Sequence, residues 1–309
     1  MNPAVALLPC TNYEPRLLDS TVDKVLKATV ASTGYHGHHI LMKPNLISAQ
    51  NGHLACSEPA LLCSIARWFI DHGAQVQIGD SPAFGSSRRT LQAIGAAQEL
   101  ESLGVKIIEF TQTRKVETPL GYRFPMAAAA IDCDLLVNVP RLKAHAQTRV
   151  TMSVKNLFGC IKGLRKGWWH MAYGGKNETF TRLIGQLPAV LSHSIHLLDG
   201  IKAMHVTGPI HGKAIYPGIL GCSTSGFSLD SAFLHILGIP PEHCPLWKTA
   251  NKEGNPDIQL NHIQWACDTP DSFSIDGFIV PDKLAPIRFN PCRFMKSSVR
   301  RVVLPLLGR

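Results

Sequence analysis

Short apolar runs alternate with helix-length amphipathic segments from Val5 to Phe110, and no other feature of the 309-residue chain limits its fold so tightly. A strand separated from the next by a helix pairs with it in parallel. The pattern therefore predicts β-α units wound around a mostly parallel or mixed sheet flanked by helices, an α/β fold of one or two lobes. Strands are expected at Val5 to Leu8, Ile40 to Lys43, Val76 to Ile78 and Val105 to Phe110, with helices at Leu17 to Thr33, from Ser57 to His72 before Gly73, and from Arg88 to Leu103. A hairpin is expected from Val116 to Phe124 around Gly121, then a buried strand from Leu135 to Val139. Further on, the pattern predicts helices at Leu183 to His193 and Ser228 to Leu237, and strands at Ile195 to Leu198, Ile219 to Cys222 and His262 to Ala266. Residues 1–286 form the expected α/β domain, with any lobe boundary near 112–134, and residues 287–309 a basic tail.

With 45% hydrophobic and 17% charged residues the chain can bury a sizeable core. A formal charge of +9 draws anions of any kind. Its densest basic clusters, 161-IKGLRKGWW-169 and 293-RFMKSSVRR-301, are not the long basic runs with interleaved aromatics typical of nucleic-acid binders, which makes nucleic acid a disfavoured partner. The nine cysteines contain no C-x-x-C pair and sit in apolar surroundings, as reduced cytosolic thiols do. No apolar run reaches the length of a membrane span, and Met1 to Cys10 reads as a first strand rather than a leader. A cytoplasmic protein is expected.

In open parallel sheets ligands sit beyond the carboxyl ends of the strands, so polar residues that follow predicted strands are the first candidates. Such residues occur at 43-KPN-45, 79-GDSP-82, 138-NVPRLKAH-145 and 199-DG-200. Lys43 and Asn45 would meet an anion at the sheet edge, or stand as an ordinary solvated loop. Asp80 and Ser81 begin a loop leading to the Ser86 and Ser87 helix start; it lacks a Walker frame, and its residues also suit a plain turn with an N-cap. The richest stretch runs from Asn138 to His170. It carries five cations between Arg141 and Lys162 and no acid between Pro140 and Asn177. Packed together without a counter-anion, these would repel one another; on a solvated face they would not.

Asn138, Asn156 and Gly159 join Lys43, Asn45, Asp80 and Ser81 as candidate substrate-binding residues. His145, Lys143 and Lys155 are candidates for proton transfer, the lysines through a pKa lowered by burial. Asp199, Asp230 and His170 are candidate ligands for a divalent metal, though no close-spaced motif such as H-E-x-x-H supports one. His36, His38 and His39 suit a surface loop. The absence of G-x-S-x-G disfavours a serine hydrolase.

The blocks 42-MKPNLIS-48, 76-VQIGDSPAFG-85, 137-VNVPRLKAHAQTRVTMSVKNLFGCIKG-163, 197-LLDGIKAMHVTGPIHG-212 and 228-SLDSAFLHILG-238 resemble, in order and spacing, the domain of unknown function 362 family. The middle block, with Lys143, His145, Lys155, Asn156 and Gly159, is the most specific, and the resemblance covers roughly residues 40 to 240. It implies a redox-associated protein, since many members carry a C-terminal ferredoxin-like module. This chain departs from that pattern. After Gly238 it has only Cys244, Cys267 and Cys292, far apart, so no iron-sulfur cluster ligated by this chain is expected. A second departure is Ser225, where members commonly place an Asp before the helix containing Asp230. In organisation the family is also distantly similar to two-domain α/β proteins of the nickel-pincer lactate racemase type.

The expected function is an enzyme acting on an anionic small molecule through a Lys/His/Asn pocket, its reaction an isomerase, lyase or oxidoreductase step. The alternatives are a noncatalytic binder of RNA or an acidic partner, and a redox partner protein whose cluster belongs to another subunit.

Overall fold

The computed structural model describes residues 2–30, 34–49, 52–82, 85–161 and 178–285. His170, the Lys162–Gly163 pair and the basic tail expected at 287–309 lie outside the described residues. The chain runs β1 (Ala4–Pro9), α1 (Pro15–Thr29), β2 (His39–Pro44), α2 (Gly52–Ala55), α3 (Pro59–Asp71), β3 (Gln75–Ile78), α4 (Ser87–Ala93), α5 (Ala97–Ser102) and β4 (Lys106–Ile107). A hairpin of β5 (Thr113–Glu117) and β6 (Arg123–Ala127), then α6 (Ala128–Asp132), leads to β7 (Leu135–Val139), β8 (Arg141–His145), β9 (Arg149–Thr151) and α7 (Ser153–Asn156). A 3-10 turn, Leu157–Cys160, extends α7. The last part holds α8 (Thr179–Gly185), α9 (Leu187–Val190), β10 (Ser194–His205), β11 (Lys213–Ile215), β12 (Ile219–Ser223), α10 (Gly226–Ile236), α11 (Pro245–Lys252) and β13 (Gln264–Trp265).

Strands β2 and β7 are apolar without alternation, and such strands need cover on both faces. They lie inside an 11-stranded mixed sheet of order β13-β1-β12-β10-β7-β2-β3-β4, with β8, β9 and β11 branching from β10. Only β12 runs antiparallel along that main path. Alternate residues supply two cores. Leu41, Leu136 and Leu198 pack with Phe227, Phe233 and Trp247 on one face. Met42, Val137 and Leu197 pack with Leu18 and Val25 of α1 and Leu62 and Phe69 of α3 on the other. The β5–β6 hairpin pairs Val116 with Phe124 as expected and docks on the first core through Phe124 and Met126.

Several elements depart from expectation. The helix expected from Arg88 to Leu103 is two, broken where Gly95 takes φ +84°. The helix expected from Leu183 to His193 also divides, with Pro188 in the first turn of α9. The strand expected from Val105 to Phe110 is only Lys106–Ile107. The strand expected to stop at Leu198 runs on through Asp199 and Gly200 to His205, twelve residues in all. Arg141–His145, read as a polar loop, is a fully buried strand. It continues β7 past Pro140, which has no N–H to give the ladder but whose carbonyl accepts from the Asp199 N–H at 2.9 Å.

Candidate functional site

Register places four polar residues side by side across adjacent strands. Lys43 of β2 lies beside Asn138 of β7, Asn138 beside His196 of β10, and His196 beside Ser223 of β12. All four are buried. A polar row through an apolar sheet is tolerable only if each group finds a partner. Lys43 Nζ donates to the Pro44 carbonyl at 2.8 Å and pairs with Asp80 Oδ1 at 2.9 Å. Asp80 Oδ2 accepts from the Leu46 N–H at 2.9 Å, and Oδ1 accepts from the Ser81 N–H at 2.7 Å. Ser86 caps α4 as expected, while Ser87 Oγ donates to the Asp80 carbonyl at 2.9 Å. Asn138 Nδ2 donates to the Ser153 carbonyl at 2.9 Å and meets His196 Nδ1 at 2.8 Å.

Two devices hold α7 and its 3-10 extension over this row. Asp230, projecting from α10, accepts from the backbone N–H groups of Ser153 and Val154 at 2.8 and 2.9 Å, capping the start of α7 from a distant element. Burial pushes the Asp230 carboxyl up to about 7 against those hydrogen bonds. At the other end Gly159 passes directly over the Lys43–Asp80 pair, where a Cβ would collide with Lys43 Cε and Nζ and with Asp80 Oδ1. Only glycine fits this approach.

Asn45 and Asn156 carry the network around the carboxyl edge to Lys143. Asn45 Nδ2 donates to Asn156 Oδ1 at 2.6 Å, and Asn156 Nδ2 donates to Asn138 Oδ1 at 2.8 Å. Lys143 Nζ donates to Asn45 Oδ1 and, at 2.6 Å, to the Ala55 carbonyl. Burial lowers its pKa to about 7, with Lys155, Arg141 and Lys43 adding repulsion and Cys56 opposing. Burial brings Lys155, on α7, down to about 8. Opposite Lys143 on β9 sits Thr151, whose buried Oγ1 has no hydrogen-bond partner among the described residues.

His145 occupies the β8–β9 turn, where its Nδ1 accepts from the Gln147 and Thr148 N–H groups at 3.1 and 3.3 Å. The neutral ring therefore carries its proton on Nε2.

The acid-free stretch is less uncompensated than its sequence implied, because the acids come from elsewhere in the chain. Arg141 is clamped by Glu58 Oε2 at 2.8 Å, the Tyr13 hydroxyl at 3.0 Å, and the carbonyls of His53 and Cys56. Its Nε lies 3.3 Å from Asp199 Oδ2, within ion-pair range though out of hydrogen-bonding alignment. Tyr13 donates to Asp199, and burial pushes that carboxyl up from its ordinary value against the pull of Arg141. Arg149 reaches the His243 and Pro281 carbonyls.

Asp199 is therefore mid-strand and spent on Arg141 and Tyr13, and Asp230 is spent on backbone N–H groups. Neither stands free at a strand end as a metal ligand would. Among the described residues no group of three or more His, Cys, Asp or Glu is placed to hold a metal ion. At Ser225, the N-cap of α10, the hydroxyl donates to Asp257 Oδ2 at 2.7 Å, so a carboxylate from another segment stands beside that position.

Lys43, Asn45, Asp80, Asn138, Lys143, Asn156 and Gly159 thus fall into one network, with Ser81 on its Asp80 side and Lys155 on the helix that bears Asn156. His196, Ser153, Glu58 and Tyr13 escaped the sequence reading. A histidine inside the apolar run 195-IHLL-198 was the available signal for the first. The clefts lined by His39, Ile40 and Cys133 and by Gln75, Leu103 and Lys106 open at the amino ends of β2 and β3, opposite this network. The carboxyl edge is where parallel sheets bind ligands, and it is the better candidate.

Residues 40–235, from the start of β2 to the end of α10, match the family described as Domain of unknown function (DUF362). The chain belongs to that family. This DUF362 chain is 30% identical over 302 residues to a thylakoid-associated protein of Synechocystis sp., covering 96% of this chain and 94% of that one. Among solved structures it resembles the lactate racemase apoprotein from Thermoanaerobacterium thermosaccharolyticum, with TM-score 0.42 and 12% identity over 63% of this chain and 50% of that chain. It also resembles a protein from Thermotoga maritima, with TM-score 0.46 and 9% identity over 71% and 57%. The DUF362 chain spans about half the length of these solved structures. None of its helices among the described residues is long and apolar enough to cross a membrane.

Proposed function

We propose that this DUF362 protein is an enzyme that binds an anionic small molecule at the carboxyl edge of β2, β7 and β8, with Lys143 and Lys155 as its ammonium contacts and proton-transfer groups. One observation carries this reading. Lys43 and Arg141 have carboxylate partners, but Lys143 meets only carbonyl-type oxygens, and Lys155 has no hydrogen-bond or ion-pair partner among the described residues. Opposite Lys143 the Thr151 hydroxyl is buried without a partner among the described residues. Such a surplus of donors calls for an acceptor-rich ligand. Amines of pKa about 7 and about 8 exchange protons near neutrality. A noncatalytic RNA surface draws less support, since Arg141 and Arg149 are turned to internal partners.

Thermal unfolding with inorganic phosphate, sulfate, pyruvate and citrate, each against chloride at matched ionic strength, tests the site. At a hundredfold excess over Kd, a bound anion adds about 2.7 kcal/mol of stability. The gain is expected to disappear in Lys155→Ala and Lys143→Met. Anion effects no larger than those of chloride, or effects that survive both substitutions, would overturn the assignment.

The lowered lysines also set a pH dependence. Lys143 has a folded pKa of about 7, below its unfolded value of about 10.4, so between the two the unfolded chain binds more protons and stability rises with pH. In denaturant titrations the rise between about pH 7 and about pH 10 is expected to be smaller in Lys143→Met than in the wild type. Equal slopes would mean that Lys143 is charged in the folded protein.

For its location we propose the cytoplasm, on the pattern of nine cysteines in apolar segments. The thylakoid association of the relative makes a peripheral membrane contact the competing location, and cell fractionation separates the two.

A further inference from the structure

The hydrogen bonds leading away from Lys143 all point the same way. Lys143 Nζ donates to Asn45 Oδ1, Asn45 Nδ2 to Asn156 Oδ1 at 2.6 Å, Asn156 Nδ2 to Asn138 Oδ1 at 2.8 Å, and Asn138 Nδ2 to His196 Nδ1 at 2.8 Å. The direction is anchored. A backbone carbonyl can only accept, so the 2.9 Å contact with the Ser153 oxygen fixes which end of the Asn138 carboxamide is nitrogen. That nitrogen has no lone pair to offer His196, so Nδ1 must accept and the ring proton must sit on Nε2, 3.3 Å from Ser194 Oγ. Burial holds His196 down to about 3, which keeps the ring neutral at physiological pH.

The geometry fixes what Lys143 can do. Its two acceptors, Asn45 Oδ1 and the Ala55 carbonyl, satisfy both N–H bonds of a neutral amine. The remaining tetrahedral direction of Nζ then holds either a lone pair or, after protonation, a third N–H. If any carboxamide in the chain turned over, Asn45 would present its NH2 group to Nζ and this arrangement would be lost. We propose that Asn45, Asn156, Asn138 and His196 are positioning residues for Lys143: a one-directional relay that keeps an oxygen on Nζ and thereby holds the amine ready to take a proton from the bound anion. The role given to Lys143 rests on the function proposed above. The relay itself is tested without any ligand. The charged and titratable groups facing Lys143 are Cys56, Lys155, Arg141 and Lys43, and all are retained in the variants below.

The test is a titration of ligand-free protein carrying ¹³Cε-labelled lysine, with the Lys143 resonance assigned by its loss in Lys143→Arg. Asn138→Leu cuts the relay two hydrogen bonds away from Nζ and frees Asn156 and Asn45 to rotate. Its Lys143 midpoint is expected to fall by about half a pH unit or more, roughly a threefold change in the equilibrium. Asn138→Asp keeps an oxygen facing Asn156 Nδ2, so its midpoint should not fall. A purely structural role would lower the melting temperature of both variants and leave both midpoints in place. An unmoved midpoint in Asn138→Leu, or a fall in both variants, overturns the relay. Should Asn138→Leu fail to fold, ¹⁵N shifts of the wild-type imidazole decide: a neutral His196 protonated on Nε2 near neutral pH supports the relay, and a proton on Nδ1 overturns it. Because no anion is present, a failed relay leaves the anion test standing, and a failed anion test leaves the relay standing.

Discussion

Arg141→Ala is expected to lower the unfolding free energy by about 3–5 kcal/mol, the range for removing one partner of a buried ion pair. The guanidinium is fully buried and joins β8 to β10 through Asp199, to the start of α3 through Glu58, to α2 through the His53 carbonyl, and to the loop after β1 through Tyr13. Truncation would strand Asp199 with only Tyr13 and the Ile201 N–H, and would leave the Cys56 carbonyl without this donor. Urea unfolding measures the loss. The double variant Arg141→Met, Asp199→Leu should recover part of it, since replacing both members of a buried pair by apolar groups is often nearly neutral. A double variant no better than Arg141→Ala would show that the loss does not come from a stranded carboxylate.

Gly159→Ala is expected to cost about 3 kcal/mol or more, from overpacking together with part of a buried ion pair. The added methyl would press into Lys43 and Asp80, which are held on their other sides by the Pro44 carbonyl and the Leu46 N–H. Neither can yield without losing a buried partner. The same displacement would lift α7 from the polar row, so anion-induced stabilisation should fall along with the melting temperature. A melting temperature within about a degree of the wild type would mean that the 3-10 turn shifts freely, and the close approach would then carry no constraint.

The alternation of apolar runs and helices made the parallel core legible, because Ile40 to Met42 and Leu135 to Val137 can be satisfied only by cover on both faces. What stayed hidden was polar sequence in buried positions. Arg141–His145 follows a proline and carries three basic side chains, the composition of a loop, yet it is a strand because Arg141 and Lys143 find partners that lie far away in the chain. Asp199-Gly200 reads as the polar end of a strand for a similar reason. The aspartate is matched by Arg141, and the glycine leaves room for Phe233, whose ring would lie 2.6 Å from a Cβ at that position. The candidate site was legible as a set of residues but not as a pattern of pairing. Nothing local marks Glu58, Asp80 and Asp199 as the counter-charges of Lys43 and Arg141, so Lys143 and Lys155 stand out in the sequence as candidates for proton transfer but not as the cations left without a carboxylate.

The run from Leu135 to His145 performs two jobs in one continuous extended segment: Asn138 of β7 serves the relay, and three positions later Arg141 of β8 serves the clamp, with Pro140 between them. Since successive residues of a strand face opposite ways, these duties depend on spacing as well as on identity. Inserting or deleting a single residue beside Pro140 would turn the guanidinium away from Asp199 and disconnect Lys143 from Asn45 in the same step. This segment should therefore accept exchange of its side chains far more readily than any change in its length.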